Sequence, residues 1–180
     1  VFRLALATCL FLSAAALADE ANPSIQNLTA VSAGRRVSVR FSLANVFTGE
    51  IVEALQSGLP TSFTYAVEIF RDRPNWFDDG IAAARIEVIC TFNSVTREYL
   101  LNYRRDRHLV RSETFTELAA LERAMTTIDE PELFDIDGRK AHKLKVRVKA
   151  DLERGWLLYV IPWGVSTHWR ETRVKPAEAR

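Results

Sequence analysis

The sequence predicts a mainly β domain, all-β to α+β: an antiparallel β-sandwich or curved sheet of about eight or nine strands with two short helices. Three observations carry this. Apolar and polar residues alternate with period two through much of the chain after residue 18, as in strands with one dry and one wet face. Two segments depart from that pattern with helical spacing. No Pro/Gly/Ser-rich linker and no internal repeat divides the chain, so residues 19–180 read as a single β-rich domain.

The chain opens with an address. Arg3 gives a short positive segment, Leu4 to Leu17 a mostly apolar run, and Ala16-Leu17-Ala18 a small-residue cleavage site before Asp19. This pattern predicts a signal peptide over residues 1–18, cleaved after Ala18, and a mature protein that is periplasmic or secreted. The apolar run is shorter than the roughly 20 residues a membrane-crossing helix needs. Past residue 18 the longest apolar run is Trp156 to Trp163, so no transmembrane segment is expected in the mature chain. Cleavage would remove Cys9 and leave Cys90, without a partner for an internal disulfide.

The strand signals follow in order. Val37, Val39, Phe41 and Leu43 alternate with Arg36, Ser38, Arg40 and Ser42. Phe63, Tyr65, Val67 and Ile69 alternate with Ser62, Thr64, Ala66 and Glu68. Ile86, Val88, Cys90 and Phe92 form one face, which makes Cys90 a buried, inert thiol. Tyr99, Leu101 and Tyr103 form another. Leu144, Val146, Val148, Ala150 and Leu152 alternate with Lys143, Lys145, Arg147, Lys149 and Asp151. Trp163, Val165, Thr167 and Trp169 alternate as a last face. Asn93-Ser94, Asp106-Arg107 and Asp137-Gly138 are turn signals.

Two helices are expected between these strands. Thr48 is the N-cap of the first, Ile51 and Leu55 share its apolar face, and Gly58 and Pro60 close it. Thr114-Phe115-Thr116-Glu117 reads as a capping box for the second. Leu118, Leu121, Met125 and Ile128 then follow helical spacing, with Pro131 just past the end.

Charge is unevenly placed. Residues 19–138 carry 12 basic and 19 acidic groups, residues 139–180 carry 11 basic and 4 acidic. Two surfaces of opposite sign are the expectation, and the near-neutral total does not suggest nucleic-acid binding. Lys143, Lys145, Arg147 and Lys149 sit at every second position, so on a strand they project from one face over about 20 Å. They are the candidate partner-binding residues, for an acidic envelope protein or an anionic lipid surface. Trp156, Trp163 and Trp169 in the C-terminal segment are either core or a candidate apolar groove.

Catalytic patterns are weak. His108, His142 and His168 have no ligand at metal spacing, and Ser166 lacks the second glycine of a nucleophile elbow. Asp135-x-Asp137-Gly138 lacks the spaced carboxylates and closing Glu of a calcium loop. No catalytic, cofactor-binding or metal-binding residue is assigned, and no cofactor is implied.

The order of segments is familiar as a set. The stretch from Glu53 through Ala54-Leu55-Gln56-Ser57-Gly58-Leu59-Pro60 is followed by Glu68-Ile69-Phe70-Arg71-Asp72-Arg73 and then Trp76-Phe77-Asp78. Thr96-Arg97-Glu98-Tyr99 and Trp163-Gly164-Val165-Ser166-Thr167-His168-Trp169 come after. Together they resemble a family of exported bacterial proteins known as domain of unknown function 4390, over nearly all of the chain past residue 18. The family's usual tyrosine before Thr96 is replaced here by Cys90-Thr91-Phe92. The resemblance implies export and adds no activity or catalytic residue. The expected role is therefore a non-enzymatic, β-rich module that binds an envelope protein. A carrier of an apolar ligand or lipid is the alternative, and a hydrolase with an unrecognised site the third reading.

Overall fold

The computed structural model describes residues 22–71, 79–136, 143–157 and 161–177, and their side chains outside 153–164. The expected signal peptide, the Asp137-Gly138 turn, Arg73, Trp76-Phe77-Asp78 and His142 lie outside the described residues. In chain order the elements begin with β1 (Ser24–Ala33), β2 (Arg36–Ala44), α1 (Gly49–Gln56), β3 (Thr61–Arg71) and β4 (Asp79–Asn93). They continue with β5 (Glu98–Arg105), β6 (His108–Phe115), α2 (Leu118–Thr126), β7 (Thr127–Asp135) and β8 (Leu144–Leu157). The last three are β9 (Ile161–Ser166), β10 (Arg170–Arg173) and β11 (Lys175–Pro176).

These strands form two sheets. The smaller has the order β11-β1-β2-β7, and the larger β10-β8-β3-β4-β5-β6 with β9 also on β8. Pairing is antiparallel except for β1 with β11. The fold is thus the mainly β, antiparallel sandwich with two short helices that the alternation predicts, with eleven strands among the described residues.

The alternating faces meet as one core. Phe63, Tyr65, Val67 and Ile69 of β3 are fully buried, as are Val37, Val39 and Phe41 of β2. Phe41 meets Tyr65 edge to face across the two layers, with ring centroids 5.2 Å apart. Each such side chain taken out of water contributes about 1.5–3 kcal/mol before entropy is charged against it. Cys90 is buried on β4 between Thr61 and Leu101, and burial pushes its thiol up to about 12, which suppresses the reactive thiolate.

A polar seam crosses this core. The Tyr103 hydroxyl on β5 donates to Oε1 of Glu130 on β7 at 2.5 Å, and Arg105 Nη1 donates to Oε2 at 3.0 Å. Arg111 of β6 lies over the Tyr103 ring, 4.2 Å from its centroid. Burial first, then the hydrogen bond to Glu130, raises the Tyr103 phenol above its ordinary value. A second tie joins Tyr65 to α2, its hydroxyl donating 2.7 Å to the Met125 carbonyl at the helix end.

The helices differ from expectation in detail. Helix α1 starts after Thr48 as predicted, but the Thr48 side chain makes no capping bond and its hydroxyl has no hydrogen-bond partner among the described residues. Gly58, at φ +86°, supplies the left-handed residue that lets the chain leave the helix. Helix α2 does not open with a capping box, because Thr114 and Phe115 complete β6 and Glu117 is the N-cap without a side-chain bond. Nor does it reach Ile128. Thr127 is already extended, and Ile128 pairs with Phe41 as the start of β7, buried in the core. Pro131 therefore lies within a strand. It is tolerated because β7 is an edge and its register shifts between Val37 and Val39, with Glu132 at φ +59°.

Candidate functional site on the outer face of the large sheet

Strand β8 places the predicted basic row. Leu144, Val146, Val148, Ala150 and Leu152 are buried, so Lys145, Arg147 and Lys149 project from the opposite, outer face, with exposed Lys143 just before the strand. Period two does this unaided. The neighbours on either side supply what the row alone does not reveal. Glu68 of β3 and Glu171 of β10 both stand opposite Arg147, and Arg173 stands opposite Lys145.

Two β-bulges shape the surface around Arg147. On β4, Ile69 pairs with Ala82 and Phe70 with Gly80, which leaves Ile81 as the extra residue. Beside β8, Val148 pairs with Arg170 and Asp151 with Ser166, so Thr167, His168 and Trp169 stand against only Lys149 and Ala150. A one-residue slip moves every later side chain to the other face. Val165 and Thr167 therefore stay on the inner side, and the Thr167 hydroxyl accepts from the Ala150 amide at 3.0 Å. Trp169 is turned outward and is 41% exposed, which corrects the reading that put it on one face with Val165 and Thr167. Unbroken alternation was the premise of that reading, and the bulge breaks it.

The result is a layered arrangement. The Arg147 guanidinium lies 5.1 Å from the Phe70 ring centroid and 4.9 Å from that of Trp169. Its Nε and Nη2 both reach Glu68 Oε2 at 2.7 Å, fixing the plane of the stack. Phe70 projects to this outer face yet is almost fully buried, 3% exposed. A cleft of about 310 Å³ opens beside it, lined by Glu68, Phe70, Gly80, Ile81, Ala83 and Arg147 among others.

Further along β8, Lys149 Nζ lies 3.0 Å from Asp151 Oδ1, and Ser166 Oγ donates to the same oxygen at 2.5 Å. Partial burial alone would raise the Asp151 carboxyl. The bonds from Ser166 and Lys149 outweigh it and hold the group below its ordinary value. Among the described outward side chains of β8, of its neighbours β3 and β10, and of Lys143 just before β8, cations outnumber acids: Lys143, Lys145, Arg147, Lys149 and Arg173 against Glu68, Asp151 and Glu171.

The remaining sequence candidates are scattered. Trp156 and Trp163 lie outside the described side chains, so of the predicted groove Trp169 alone is placed. His108 is on β6 and His168 in the bulge, both exposed. Ser166 is engaged with Asp151, and Asp135 with Arg35 at 3.1 Å. Among the described residues no group of three His, Cys, Asp or Glu is placed to hold a metal ion. No described helix is long and apolar enough to cross a membrane. Sequence reasoning missed Glu68, Phe70 and Glu171, whose positions depend on which strands flank β8.

An antiparallel sandwich with a charged, bulge-shaped outer face defines a class of architecture rather than an activity. The family model described as Domain of unknown function (DUF4390) matches residues 20–157, and the chain belongs to that family. No curated protein and no solved structure matches it.

Proposed function

We propose that the protein is an exported, non-enzymatic binding module that docks an acidic envelope protein on the outer face of its large sheet. The observation that carries this reading is Trp169. A bulge turns a large aromatic side chain out of the core and sets it, 41% exposed, beside a row of lysines. Exposed tryptophan rimmed by cations is the composition of a docking surface, since the ring supplies contact area and the charges steer an acidic partner. The Glu68–Arg147 pair is the rigid backing of that surface, and the flanking lysines are its charged rim. Export rests on the pattern of residues 1–18, and processing after Ala18 would put this face in the envelope.

The test compares the processed protein with a Lys143→Gln, Lys145→Gln, Lys149→Gln triple variant, each immobilised and exposed to envelope proteins. Folding is expected to be unchanged, and recovery of acidic partners to fall several-fold at low salt with a smaller loss at high salt. Equal recovery by both proteins overturns the reading. Co-sedimentation with vesicles of phosphatidylglycerol, against neutral phosphatidylcholine, separates the lipid alternative. A triple variant that loses vesicle binding but keeps its protein partners would make the face a membrane contact instead.

A further inference from the structure

Strand β6 closes the far side of the large sheet, opposite β8 and β10. It pairs with β5 on one side and with no other described strand. All residues from His108 to Thr114 are exposed, including Leu109 at 59% and Val110 at 52%. A bulge at Val110 divides this edge, and past it residues 111–115 run in regular register along β5; an open edge of that kind is a template for another strand unless it is short, covered or blocked by charge. Here the charges are arranged to accept one particular partner.

We propose that β6 pairs antiparallel with β6 of a second copy of this chain, in the register centred on Ser112. In that register Arg111 of one copy faces Glu113 of the other, and Glu113 faces Arg111, on the same face of the joined sheet. Val110 is the extra residue of a bulge in β6, so regular pairing with the second copy is confined to Arg111, Ser112 and Glu113, and the two small Ser112 side chains meet at the two-fold axis. Centring one residue earlier sets Arg111 against itself, and one residue later sets Glu113 against itself. Like charges directly opposite disfavour both of those registers. Within one chain Arg111 Nε already lies 2.9 Å from Glu113 Oε1, with both side chains 47% exposed, so each retains a free side for the second copy. Stacking on Tyr103 holds the Arg111 guanidinium in position before pairing. The joined sheet would run continuously through both copies and leave both β8 faces open at its outer ends.

An edge contact of this length buries less than the roughly 1,200 Å² of a standard stable interface, so the dimer is expected to be weak and concentration-dependent. Sedimentation velocity of the processed protein should show monomer giving way to dimer as concentration rises. Arg111→Glu and Glu113→Arg should each stay monomeric. An equimolar mixture of the two should dimerise again, because the two acids carried by the first variant then face the two arginines carried by the second. No repair within a single chain can produce that rescue. Ser112→Cys gives a charge-independent readout: opposed residues lie about 4.5–5.5 Å apart at Cα, within disulfide reach, and mild oxidation should link the copies. Thr114→Cys should not link. A wild-type protein monomeric to millimolar concentration, or a mixture that stays monomeric while each variant is folded, overturns the proposal.

Discussion

Two arginine–glutamate pairs, one on each side of the large sheet, show how little the pairing itself says about its consequence. Arg105 and Glu130 meet at 3.0 Å in the seam between the sheets, where the Glu130 side chain is 9% exposed. Arg147 and Glu68 meet at 2.7 Å on the outer face, with both side chains about one-third exposed. The inner carboxylate has left water and depends on two protein donors, Tyr103 and Arg105. The outer carboxylate keeps water as an alternative partner. Chemistry and distance are nearly alike; the dielectric surroundings and the replaceability of each bond are not.

The sharpest way to break the comparison is Tyr103→Phe. It removes one donor from a buried carboxylate without changing the ring that packs in the core. A loss of about 2 kcal/mol is expected from urea unfolding, as for hydrogen bonds to charged groups, and a loss under about 0.5 kcal/mol would show that water reaches Glu130. The matching change outside is Glu68→Gln, which preserves shape and one acceptor. Solvent screens that pair, so stability should fall by less than about 1 kcal/mol, although the orientation of Arg147 between Phe70 and Trp169 is weakened. A cost equal to that of Tyr103→Phe would mean the outer pair is structural to the same degree.

The same contrast explains which features could be read from the sequence. Strands β2, β3, β4, β5 and β8 were legible because each has one face in the core, and burial writes period two into the residues. Strand β6 carries no such alternation: both of its faces see solvent, and Leu109-Val110 followed by Arg111-Ser112-Glu113 has no dry side to encode. The end of α2 was misread for a related reason. Ile128 continues the helical spacing of Leu121 and Met125, yet it reaches the same core from an extended backbone, and spacing alone does not distinguish the two routes. At the candidate site the basic row was legible as a local pattern. Its surroundings were not, since Glu68 and Arg173 become its neighbours through strand order, and Trp169 reaches the outer face through a bulge at Thr167–Trp169.

The smallest expected effect comes from Asp151, which adds pH to the comparison of inner and outer charges. Its carboxyl is held below the ordinary value in the folded protein despite partial burial, through Ser166 and Lys149. A depressed folded value means the unfolded chain takes up the proton first as pH falls. The stabilisation is therefore complete above the ordinary carboxylate range near 4 and is lost as pH drops through the lower folded value. The Asp151 side chain is 42% exposed, so solvent limits the effect to about 0.5 kcal/mol. Asp151→Asn retains an acceptor for Ser166 but removes the titration. Wild type should exceed this variant slightly at neutral pH, and the gap should close under acid conditions in paired urea titrations. A gap independent of pH would show that the Asp151 charge is not its source. It would also leave Lys149 no more available to an acidic partner in acid than at neutrality, since protonating Asp151 would not release a lysine it does not hold.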